Sequence, residues 1–62
     1  MEENVKQAIA LILHERMKCK AALEMLRLVE QTNIKKSYKR EIDILLDRMN
    51  ELNEMYEKLM NQ

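Results

Sequence analysis

Few residues in this chain have side chains suited to chemistry, and they are scattered. The one histidine lies in His14-Glu15-Arg16-Met17-Lys18. A zinc-hydrolase helix sets a second histidine four residues after the first, so that both imidazoles reach one metal ion. Here Lys18 occupies that place. The one cysteine, Cys19, follows His14 by five residues, a spacing that puts the two on different faces of a helix. With so few soft ligands, no metal site and no cofactor are expected. Ser37, the single serine, stands 23 positions from His14 and has no triad arrangement around it. Glu41, Asp43, Asp47, Glu51, Glu54 and Glu57 spread around their helix in the manner of a solvated face rather than a paired acid and base. The expectation is a protein that is not an enzyme and has no small-molecule substrate.

One short segment departs from local electrostatic preference. Ile34-Lys35-Lys36-Ser37-Tyr38-Lys39-Arg40 puts four positive charges where a second helix should begin, although helix N-termini favour acids. Lys35, Lys36, Lys39 and Arg40 are therefore candidate contacts for an anion or a nucleic acid. The alternative is a solvated tip whose bases maintain solubility or pair with a dimer mate. Ser37, set among these bases, is also a candidate phosphorylation site.

The elements that carry these residues follow from composition and periodicity. The chain has 62 residues, 47% of them hydrophobic and 35% charged, with no glycine, no proline and no phenylalanine or tryptophan. The absence of glycine and proline removes most tight-turn and phosphate-loop chemistry, and the scarcity of aromatics disfavours a β-sandwich or barrel. In the first half Val5, Ile12, Cys19 and Leu26 recur every seven residues, with Ala8, Ile9, Ala22 and Leu23 beside them. This is a heptad seam, and it predicts a helix over about 2–30. In the second half Tyr38, Ile42, Leu45, Met49, Leu52, Tyr56 and Leu59 alternate spacings of four and three, which predicts a helix over about 34–60. Extending the first seam lands on Asn33, Arg40, Asp47 and Glu54, all polar, so the phase breaks near Gln31-Thr32-Asn33. A turn over about 31–33 is expected, with Thr32 or Asn33 capping the second helix. The expected fold is all-α, an antiparallel two-helix hairpin resembling a coiled coil, in one domain over 1–62.

A hairpin alone leaves apolar surface uncovered. Leu11, Leu13, Met17, Met25, Leu28 and Val29 lie off the main seam of the first helix, and Leu11, Met25 and Val29 fall roughly opposite Ile9. Ile44 and Met55 suggest a weaker strip on the second helix. Surfaces of this extent mark interfaces, and a domain this small sits near its stability limit without oligomerisation. These eight residues are the expected dimer or partner interface, and two hairpins are expected to pair into a four-helix bundle. The bases cluster at the turn, while Glu2, Glu3, Glu51, Glu54 and Glu57 gather at the open end. That polarity favours a homodimer with the two turns at opposite ends. Methionines on the surface repack easily around a partner.

The charges balance at 11 basic and 11 acidic, giving no global case for nucleic acid or an anionic membrane. The start is acidic rather than basic, and the longest apolar run, Ala8 to Leu13, is six residues against roughly 20 needed to span a bilayer. A single cysteine fits a reducing compartment, so a cytoplasmic location is expected. The expected architecture resembles the plasmid repressor of primer, a short helical hairpin that dimerises into a four-helix bundle and binds RNA. The likeness is one of fold, without a shared motif. The leading expectation is a small regulatory or adaptor protein that docks an apolar helical face on a protein partner. A nucleic-acid-binding dimer using the basic tip and a purely structural oligomerisation element are the alternatives.

Overall fold

A computed structural model of the chain describes residues 2–32 and 37–61. Two helices account for nearly all of them: α1, Glu3–Thr32, and α2, Lys39–Met60. Neither contains a helix breaker, and both are rich in leucine, methionine, glutamate and lysine, with alanine added in α1, the residues that lose least on entering a helix. At 1.5 Å per residue α1 alone is about 45 Å long. The whole molecule measures 49 × 14 × 10 Å, so α2 must fold back beside α1 rather than extend it. The two pack against each other as a helical hairpin. No described helix is long and apolar enough to cross a membrane.

The connection lies further along the chain than the seam phase suggests. Gln31 and Thr32 belong to α1 rather than to a turn, and residues 37 and 38 are not helical, so α2 begins at Lys39 instead of near residue 34. Asn33 lies outside the described residues. Thr32 does not cap α2: its hydroxyl donates back to the Val29 carbonyl at 3.0 Å, satisfying one of the free carbonyls at the end of its own helix. Tyr38 is the N-cap of α2, and its side chain makes no capping bond. The Tyr38 N–H donates instead to Glu30 Oε2 at 2.7 Å, across the connection. Ser37 Oγ accepts a weaker bond from the Lys39 N–H at 3.4 Å. A carboxylate from the end of α1 thus does the work expected of a local cap, and it sits where the α2 dipole favours negative charge.

The core between the helices is thin. Ile12, Cys19, Leu23 and Leu52 are its buried members. Leu45, Met49, Tyr56 and Leu59 are half-buried and pack on the cluster of Ile12, Cys19 and Leu52. Every residue of the α2 seam from Tyr38 to Leu59 is buried or half-buried, as its unbroken spacing predicts. On α1 the seam is less regular, because Glu15 and Arg16 are half-buried in the middle of it. Long charged side chains can cover apolar neighbours with their stems while keeping their heads in water. The small residues Ala8 and Ala22 give α1 little volume to offer at the same level as its larger neighbours. Leu52, only 2% exposed, is the best-covered side chain among the described residues.

Candidate interaction surface

What the hairpin buries on one side of α1 it leaves open on the other. Leu11, Met17, Met25 and Leu28 are 59–70% exposed, and Leu13 and Val29 are each 40% exposed. On α2 Ile44 and Met55 are exposed as well. All eight residues expected at an interface are therefore on the surface of the isolated hairpin. They do not form one patch. At 100° per residue Met17 and Leu28 lie opposite the buried seam, Leu11 and Val29 on one flank and Leu13 on the other. Two further residues belong to this exposed apolar set, Leu46 and Met60 on α2. The single-seam pattern of α2 drew attention away from them, since neither follows its four-three spacing.

The outer side of α1 carries a second regular row. Ala10, His14, Met17, Ala21, Glu24 and Leu28 alternate spacings of four and three, as the α2 seam does, and all six are exposed. The row lies opposite Val5, Ile12, Cys19 and Leu26, which face α2 and are buried or half-buried. α1 is thus a two-faced helix, with one heptad face covered and the other bare. His14 is exposed within the bare row, and Cys19 is buried behind it in the hairpin core. The spacing of the row is visible in the sequence, but two alanines, one histidine and one glutamate among its six members hide it from a search for large apolar residues.

The basic segment is only partly described. Lys39 and Arg40 are exposed in the first turn of α2. Lys35 and Lys36 lie outside the described residues. The backbone N–H of Tyr38 at the head of α2 is already taken by the Glu30 carboxylate, which also sets a negative charge beside the bases. Among the described residues the ion pairs are Lys18 with Glu15 at 3.4 Å and Arg48 with Glu51 at 3.2 Å, each within one turn of one helix. Exposed pairs of this kind contribute little, about 0–0.5 kcal/mol each. No group of three histidine, cysteine or acidic side chains among the described residues is placed to hold a metal ion.

The chain exposes more surface than a compact fold of its mass requires. Its accessible area is 5227 Å². A compact folded monomer of this mass exposes about 4,200 Å² by the usual scaling. The radius of gyration, 14.8 Å, likewise exceeds the ~10.6 Å of a compact 62-residue domain. The hairpin is a single layer of two helices, and a second layer is what small domains use to enclose a core. Comparison of the chain with known protein families, characterised proteins and solved structures finds no match.

Proposed function

We propose that this chain is a small non-enzymatic regulatory or adaptor protein that docks on a protein partner through an apolar helical face and pairs with itself into a four-helix assembly. One observation carries the reading: α1 exposes Leu11, Met17, Met25 and Leu28 at 59–70%, from its outer side round to one flank, while only four of the described residues are buried. Burial of apolar surface contributes about 25 cal/mol per Å², so a face of this kind is worth several kcal/mol once covered. Methionines suit such a face because their thioether chains repack around different partners.

Binding of nucleic acid by the tip ranks lower. Two of its four bases, Lys39 and Arg40, are exposed, but the Tyr38 N–H at the head of α2 is bonded to Glu30, whose negative charge opposes phosphate binding there. The two readings separate by salt dependence. Docking through apolar residues weakens little between 50 and 200 mM salt, whereas phosphate contacts weaken steeply over that range. The test immobilises the purified chain and measures what it retains from a native extract, with and without nuclease, beside Leu11→Asp and Met25→Asp. Retention of a protein lost in both variants and indifferent to nuclease and salt supports the proposal. Retention abolished by nuclease, or by reversing Lys35, Lys36, Lys39 and Arg40, overturns it in favour of nucleic acid.

A further inference from the structure

We infer that the outer row of α1 is a self-complementary seam for a second copy of this chain, docked antiparallel about a two-fold axis at the level of Cys19. The inference deepens the proposed role of this face, and rests on it, by naming the occupant and its register. In an antiparallel coiled coil each core position meets one running the other way. With the axis beside residue 19, Ala10 faces Leu28 of the second copy, Met17 faces Ala21, and His14 faces Glu24. Symmetry repeats each layer in reverse. Every alanine therefore meets a large apolar side chain, and the one histidine meets the one acid in the row. Gln7 and Gln31 face each other at the ends, where two amides can exchange hydrogen bonds.

The parallel alternative sets identical residues together. Glu24 then meets Glu24 and Ala21 meets Ala21, which brings like charges into the seam and leaves a gap beside it. Lys18 and Lys20 flank the antiparallel axis, where each nears its own copy. Lys18 is already held by Glu15 at 3.4 Å, and Lys20 stands four residues before Glu24. Because the row lies opposite the face covered by α2, this arrangement sets the two α1 helices at the centre and each α2 on an outer side.

The test exchanges charge across the His14·Glu24 layer. These two residues are ten apart on α1, about 15 Å along its axis, so they cannot meet within one chain. Both are exposed in the single hairpin, and helicity measured by circular dichroism checks that the variants still fold. Dimer dissociation constants are then compared by sedimentation equilibrium. H14E sets two acids together in both symmetric layers and should weaken the dimer about tenfold or more, and adding E24K should recover most of that loss. Met17→Asp, in a layer next to the axis, should abolish the dimer. A dimer lost in Met17→Asp but not recovered by E24K in the H14E background overturns the register while leaving the face as the interface. A dimer indifferent to all three changes, or a wild-type chain that stays monomeric, overturns the second copy as occupant; partner capture by the wild type and its loss in Leu11→Asp then judge the docking role separately.

Discussion

Glu30 and Tyr38 join the two helices through one bond: the Tyr38 backbone N–H donates to Glu30 Oε2 at 2.7 Å, between the last turns of α1 and the first residue before α2. The bond is partly buried, so water competes for it less than at an exposed cap. It ties the last turns of α1 to the first amide of α2.

Removing that carboxylate should therefore loosen the hairpin at its closed end. Glu30→Ala is expected to cost about 1–2 kcal/mol, in the range of a lost cap, and Glu30→Gln less, because an amide oxygen still accepts but carries no charge toward the helix dipole. Urea unfolding followed by circular dichroism measures both. Equal stability of wild type and Glu30→Ala would show that the bond contributes nothing.

Burial separates two leucines six residues apart on α2. Leu52 is 2% exposed and Leu46 is 39% exposed. Leu52→Ala is expected to cost about 2–5 kcal/mol, enough to unfold much of so small a domain at low concentration. Leu46→Ala should cost under about 1 kcal/mol, since Leu46 is exposed on α2, away from the α1 seam. Thermal melts at two protein concentrations measure the pair, and comparable losses at both sites would contradict the hairpin packing.

Cys19 supplies a built-in reporter of the core. The residue is 8% exposed and clusters with Ile12 and Leu52. A thiol reagent should label it only when the helices part, at a rate far below that of a free thiol and rising with denaturant. Leu52→Ala should speed the labelling, and Lys58→Ala, on the exposed side of α2, should leave it unchanged. Immediate labelling of the native chain would place Cys19 outside the core.

The hairpin was legible because α2 repeats a strict four-three spacing from Tyr38 to Leu59 and α1 repeats Val5, Ile12, Cys19 and Leu26. Periodicity reports which side of a helix is covered, and both seams are covered. Helix ends were less legible. A seam loses phase where its partner ends, but the backbone of α1 stays helical through Gln31 and Thr32 because both can join a helix without facing the core. The capping role went to Glu30 rather than Thr32 or Asn33, and an acid at the end of one helix gives no local signal of serving the next. The exposed face was legible as large apolar residues, Leu11 to Val29, but its ordered row was not. A seam whose layers are filled by a large residue from one copy and an alanine from the other shows its pattern only when the sequence is read against its own reversal.

Self-association through α1 is the central claim, and the mass of the wild-type chain in solution tests it most directly. Sedimentation equilibrium over a concentration series from below to above micromolar is expected to give twice the chain mass of 7.5 kDa at the upper end, and the single mass at every concentration for Met17→Asp. A wild-type chain that sediments at 7.5 kDa throughout would contradict the account.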